Sequence, residues 1–244
     1  MSDKQTESSP LEREVSRRGL LAKAGKLGAG ALVAGAVAAP AEAARSKAHR
    51  VAKTVPTGGT VTWALEQDPA FIAPFGATLT ANRWGNEMMY ESLLEWDPKL
   101  NLRPAIAESY KVAGKTAIDF QIRKGITFSD GSPVTANDVI YSFQMQAAPP
   151  APGTSASTSQ LPAIDHLEAI TPTAVRMHLK QPDARVYGYL AWQRYSSIVP
   201  NGIYSTKNMA VDGIGTGPFM LKGTYVSNDH VSYVKNPLYW KPGL

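Results

Sequence analysis

The sequence predicts a mixed α/β fold with mostly antiparallel strand pairs, set behind an export leader. Three observations carry this. Residues 117–123 alternate cleanly: Ile118, Phe120 and Ile122 on one side, Asp119, Gln121 and Arg123 on the other. That period of two marks a half-buried antiparallel strand. Thr135 followed by Asp138 ahead of Val139, Ile140 and Phe143 has the spacing of a capped helix. Twenty glycines and eighteen prolines break the chain into short elements.

The elements follow in order. Thr60-Val61-Thr62-Trp63-Ala64-Leu65, after Gly58-Gly59, has strand composition. Residues 66–80, with Pro69, Pro74 and Gly76, read as a loop. Residues 82–94 carry Trp84, Met88, Met89, Leu93 and Leu94 at helical spacings, and that helix ends before Asp97-Pro98. Lys111 to Gly114 pairs with the 117–123 strand through a turn at Gly114-Lys115. Ser129-Asp130-Gly131-Ser132-Pro133 is a turn cluster before the Thr135 helix. Residues 147–162 are a Pro/Ala/Ser/Thr surface loop. Strands are expected at 164–170 and 174–179, the second with Val175, Met177 and Leu179 inward. A short helix suits 183–192 and a short strand 197–200. Residues 219–226 and 231–234 pair across Ser227-Asn228-Asp229.

The first residues read as an address. Ser16-Arg17-Arg18-Gly19-Leu20-Leu21 follows a polar, charged start, and the uncharged run Leu27–Ala39 follows that. Ala41-Glu42-Ala43 supplies a small-x-small cleavage signal, with the cut between Ala43 and Ala44. Thirteen residues are too few to span a bilayer as a helix, which takes ~20. The paired arginines after serine resemble the twin-arginine (Tat) motif, with Leu20 and Ala22 where that motif has Phe and Lys. The reading is a 1–43 signal peptide, a 44–57 basic linker, and export through the Tat translocase to the periplasm or extracytoplasmic space.

Charge and composition exclude several classes. The net charge of +5 lies in the leader and linker, since residues 54–244 hold fifteen basic and fifteen acidic side chains. No basic stripe suited to nucleic acid is present. The absence of cysteine removes disulfides and thiolate metal sites. His49, His166, His178 and His230 have no metal-ligand spacing, with His178 and His230 read as surface residues. Neither a Gly-x-Ser-x-Gly elbow nor a P-loop occurs. No catalytic residue, metal or cofactor is expected.

Four motifs point to one family. Residues 120–143 read FQIRKGITFSDGSPVTANDVIYSF. Leu100, Pro104-Ala105-Ile106-Ala107-Glu108-Ser109-Tyr110, then Gly215-Thr216-Gly217-Pro218-Phe219, then Asn236-Pro237-Leu238-Tyr239-Trp240 follow in order. Together they resemble the family 5 extracellular solute-binding proteins, the peptide, nickel and opine receptors of ABC importers. The physics of the motif residues is that of scaffold: Gly131 for a tight turn, Pro133 and Thr135 for a helix start, Gly215 and Gly217 for close packing.

The resemblance implies a type II, cluster C periplasmic binding protein fold. In it, residues 58–84 and 193–244 form parts of lobe I, and residues 85–192 form an extra antiparallel α/β domain packed on it. Members of the family are longer, so the opposing C-terminal lobe is expected to be missing here. The resemblance also implies a cleft lined by three segments: the loop from Glu66, Gln67 and Asp68; the crossover with Trp192, Tyr195 and Ser196; and Gly215-Thr216. Trp192, Tyr195 and Ser196 offer the apolar walls and polar anchors that an extended ligand needs. The expected ligand is a peptide or other small solute and the expected partners are ABC permease subunits. Two other readings stay open, a partial chain without activity and a secreted hydrolase.

Overall fold

The structure is a computed structural model that describes residues 58–69, 71–75, 80–149 and 164–242. Its largest sheet has four antiparallel strands in the order β3-β4-β6-β5: Ala107–Val112, Ala117–Ile122, Ala174–Leu179 and Ile164–Thr171. The period-two pattern settles which face is buried. Ile118, Phe120 and Ile122 of β4, with Val175, Met177 and Leu179 of β6, all lie in the core. On the opposite face Asp119 stands across from Arg176, and the two form a bidentate pair at 2.6 and 2.9 Å. The strands expected at 117–123, 164–170 and 174–179 are therefore present to within a residue.

Helix α2, Ala136–Ala147, packs against β5 and β6. The Asp138 carboxylate accepts hydrogen bonds from the Thr135 amide (2.7 Å) and hydroxyl (2.6 Å). The same carboxylate accepts from the Asn201 amide at 2.7 Å. One turn on, the Ser142 hydroxyl accepts from the Val199 amide at 2.9 Å. The start of this helix thus does two jobs: it caps itself and it holds residues 199–201, which are far away in sequence.

The second part of the molecule is built around helix α1, Thr80–Met89. Two short hairpins accompany it: β1 (Leu94–Trp96) with β2 (Leu102–Pro104), and β7 (Phe219–Leu221) with β8 (Tyr233–Lys235). Short helices α3 (Val186–Leu190), α4 (Gln193–Ser196) and α5 (Ile203–Thr206) make the crossover from the large sheet. Every strand pair among the described residues is antiparallel. No helix among them is long and apolar enough to cross a membrane.

Three elements differ from expectation. Residues 60–65 form no strand: Val61 is 79% exposed and Trp63 53%, and no described neighbour accepts their ladder bonds. Strand composition without a partner edge makes no strand. The helix expected at 82–94 begins at Thr80 and stops at Met89, because the Gly217 amide takes the Met89 carbonyl at 2.8 Å. Residues 197–200 are buried and extended but unpaired; Ile198 donates to the Glu91 carbonyl and Val199 to Ser142. The expected elements at 183–192, 219–226 and 231–234 are present in shorter form. The leader and linker, with Ser16, Arg17, Arg18, Ala43 and Ala44, lie outside the described residues, as does most of the 147–162 loop.

The four sequence motifs meet in space. The Ser129 amide of the turn cluster donates to the Gly215 carbonyl at 2.9 Å. Asn236 donates from its amide to the Pro218 carbonyl and from Nδ2 to the Gly217 carbonyl. Arg123 donates to the Ile106 carbonyl. A Cβ at Gly217 would lie 2.5 Å from the Met88 carbonyl oxygen and 2.6 Å from the Met89 carbonyl carbon, both backbone atoms that cannot swing away. Gly217→Ala should therefore destabilise the protein by about 1–3 kcal/mol, read as a lower urea midpoint. An unchanged midpoint would mean that the packing of this strip on α1 is looser than described.

Candidate functional site

The three segments proposed to line a cleft all anchor on α1. At its start, the side chains of Asn82 and Asn86, one turn apart, donate to the carbonyls of Phe71 and Ala73. This fixes the loop that follows Asp68, and Ile72 adds a bond to the Ala210 carbonyl. In the middle, the Arg83 guanidinium sits 5.5 Å over the Trp192 ring while pairing with Glu87. At its end, Gly215 and Gly217 lie against the Met89 and Met88 carbonyls. Segments far apart in the sequence thus become neighbours along one helix.

The individual residues fall into two groups. Glu66 and Gln67 are exposed. Trp192 is 37% exposed and meets Tyr195 edge-on at 5.1 Å, and Tyr195 in turn meets Tyr189 at 5.2 Å. The others are occupied within the protein. One oxygen of Asp68 accepts from the Tyr225 hydroxyl (2.6 Å), the Asn228 amide (2.9 Å) and the Ser227 hydroxyl (3.0 Å). The Tyr225 hydroxyl, then the Asn228 amide, hold this carboxyl below its usual range. The Ser196 hydroxyl donates to the Tyr189 and Trp192 carbonyls. Gly215 and Thr216 are buried in the strip against α1.

One polar centre was not anticipated from the sequence. Glu91 is 6% exposed. Its carboxylate accepts from Trp240 Nε1 at 2.6 Å and from the Tyr239 hydroxyl at 3.0 Å, with Lys241 Nζ at 3.5 Å. The Tyr-Trp pair of the last motif thus satisfies both oxygens of this buried acid. Burial pushes the Glu91 carboxyl above its ordinary value of 4.5, opposed by Trp240, Lys241, Tyr239 and Thr216. The sequence did carry a signal: a lone acid between Met88-Met89-Tyr90 and Leu93-Leu94 is an unusual core residue that demands partners.

No group of three or more His, Asp or Glu among the described residues could hold a metal ion. His166 and His178 stack at 4.3 Å on the outer sheet face, each beside a carboxylate. An open depression beside the start of α2, lined by Thr135, Ala136, Asn137, Ala169, Thr171 and Pro172, contains none of the proposed cleft residues.

Comparison with known proteins gives a consistent set. The family described as bacterial extracellular solute-binding proteins, family 5 Middle, matches residues 101–244. Protein XP55 of Streptomyces lividans is 31% identical over 77% of this chain and 35% of its own length. The glutathione-binding protein GsiB of Escherichia coli K12 is 31% identical, over 71% of this chain and 34% of its own. Among solved structures, the binding protein AgaA of A. tumefaciens R10, in complex with agropinic acid, superposes with a TM-score of 0.65 at 25% identity. That match covers 72% of this chain and 36% of AgaA. The chain spans about a third of the length of these relatives.

The Glu91 network has a testable pH signature. The folded protein holds the Glu91 proton more tightly than the unfolded chain does, since the folded value is raised. Its contribution to stability is therefore greatest below the unfolded value and is lost as pH rises towards the folded one. Glu91→Gln, which keeps the shape and an acceptor for Trp240, removes this loss. The stability of the variant relative to the parent should rise with pH above the ordinary carboxyl value of 4.5, read in urea titrations. Parallel pH profiles would contradict the assignment.

Proposed function

The chain belongs to the bacterial extracellular solute-binding proteins, family 5, and on that premise we propose that it serves as the exported receptor of an ABC importer for a peptide or similar small solute. The observation that carries the reading is the anchoring of three distant segments on α1, with Trp192 half open to solvent beside them. A rigid helix presenting loops and an accessible aromatic is the arrangement expected of a binding wall. Relatives named for binding glutathione or agropinic acid support a small polar ligand.

In this proposal, residues 58–84 and 193–244 form parts of lobe I and residues 85–192 the extra domain packed on it. Glu66, Gln67 and Trp192 face the solute, while Asp68, Tyr195, Ser196, Gly215 and Thr216 hold the wall in shape. The solute is enclosed when an opposing lobe closes on this wall, and contacts from both sides select the closed form. The loaded protein then docks on its permease subunits. Residues 1–43 direct it through the Tat translocase, and the near-neutral body has no call on nucleic acid.

Two experiments test these statements. Calorimetric titration of the purified 44–244 segment with a peptide library should give saturable binding weaker than about micromolar, because one wall supplies only part of the closing contacts. Micromolar or tighter binding would overturn the two-wall mechanism, and no saturable binding would overturn the cleft. Separately, residues 1–50 fused to a reporter should export it in a Tat-competent cell, and replacing both Arg17 and Arg18 by Lys should abolish export. Export that persists after that change, or that needs no Tat machinery, would refute the route.

A further inference from the structure

The sequence contains a single Asn-Gly pair, Asn201-Gly202. It forms the turn at which the chain leaves its anchor on α2 and enters α5. Asparagine is a thermolabile residue, and most so before glycine: with no Cβ to crowd it, the Gly202 nitrogen can attack the Asn201 side-chain carbonyl carbon, Cγ. Three features leave this pair open to that attack. The Asn201 side chain is exposed. The Gly202 amide has no acceptor among the described residues. The turn is closed by one long bond, from the Ile203 amide to the Pro200 carbonyl at 3.2 Å, so opening it breaks little. The two Asp-Gly pairs, which could react in the same way, are held. Asp130 accepts from the Ser132 amide and hydroxyl while the Gly131 amide donates to the Phe128 carbonyl at 2.9 Å. Asp212 accepts from the Thr224 hydroxyl at 3.4 Å, and Gly213 packs against the Met89 side chain.

We propose that Asn201-Gly202 is a spontaneous modification site, at which deamidation loosens the crossover from α2. In the first step a bond forms between the Gly202 nitrogen and the Asn201 Cγ. The Cγ–Nδ2 bond breaks, the Gly202 amide proton passes to the leaving nitrogen, and ammonia departs from a cyclic succinimide. Water then opens the ring at either carbonyl. One opening gives aspartate; the other gives isoaspartate, whose main chain runs through the former side chain. Either product sets a new carboxylate next to the Asn201 amide, which donates to the Asp138 carboxylate at 2.7 Å. A second negative charge beside Asp138 opposes that bond, and the isoaspartate link also displaces Gly202 along the chain. The C-terminal anchor of the crossover on α2 weakens in both cases. The site is independent of what the wall binds.

The test ages the purified protein at mildly alkaline pH and body temperature, beside Asn201→Gln and Asn201→Asp, and follows each by peptide-mapping mass spectrometry and circular dichroism melts. The peptide holding Asn201 should deamidate first, mainly to isoaspartate, ahead of those holding the exposed Asn208 and Asn228. The aged parent should melt roughly 2–4 °C below fresh protein. Asn201→Gln should keep its melt on ageing, and Asn201→Asp should start from the lowered value. An Asn201 that stays intact, or is converted no faster than Asn208 and Asn228, would overturn the site. Conversion at Asn201 with an unchanged melt, and an Asn201→Asp variant as stable as the parent, would overturn the loosening of the anchor.

Discussion

From Met89 to Leu94 the chain runs buried at every position, and its carbonyls are taken by amides from distant parts of the sequence. Met89 receives Gly217, Glu91 receives Ile198, Ser92 receives Ile106, and Leu93 receives both Ala105 and Ala107. Buried backbone groups must be paired, and here no regular element pairs them. The requirement therefore ties the end of α1 to the crossover, to the β2–β3 region and to the glycine strip at once. Glu91 adds a side-chain knot to the same six residues through Tyr239, Trp240 and Lys241. The close approach works only because Gly215 and Gly217 present no Cβ to the carbonyls of Met88 and Met89.

This junction explains why the motif residues look like scaffold. Asp138 and Ser142 grip Asn201 and Val199 from the sheet side. Ile198 is held from the α1 side. The crossover that carries Trp192, Arg194 and Tyr195 is thus fastened at its C-terminal end by two separate anchors. Rigidity of this kind is what preorganised binding requires of any wall that meets a ligand. The motifs fix the frame.

The parts legible in the sequence were those whose signal is local. The strands Ala117–Ile122 and Ala174–Leu179 and the capped helix Ala136–Ala147 each carry their pattern within a dozen residues, and each is present. The parts that were not legible depend on partners far away. Residues 60–65 have strand composition but no paired edge, and the end of α1 is set by Gly217, more than a hundred residues on. Site residues divided in the same way. Trp192 lies beside α1 and is partly open, while Tyr195, packed edge-on against it, is buried. Asp68 and Ser196 were placed in the cleft by the family resemblance, and each is bonded within the protein by groups that sequence position alone did not reveal. Glu91 went unremarked because its donors, Tyr239 and Trp240, sit at the other end of the chain.

The central claim is that one junction holds both parts of the molecule, and native-state hydrogen exchange measures it directly. The amides of Ile106, Ile198 and Gly217, whose acceptors lie between Met89 and Ser92, should exchange only on global unfolding. Their opening free energies should then match those of the Phe120 and Val175 amides in the central strands. Exchange of Ile198 or Gly217 through a far easier local opening, with the central strands still protected, would contradict the account.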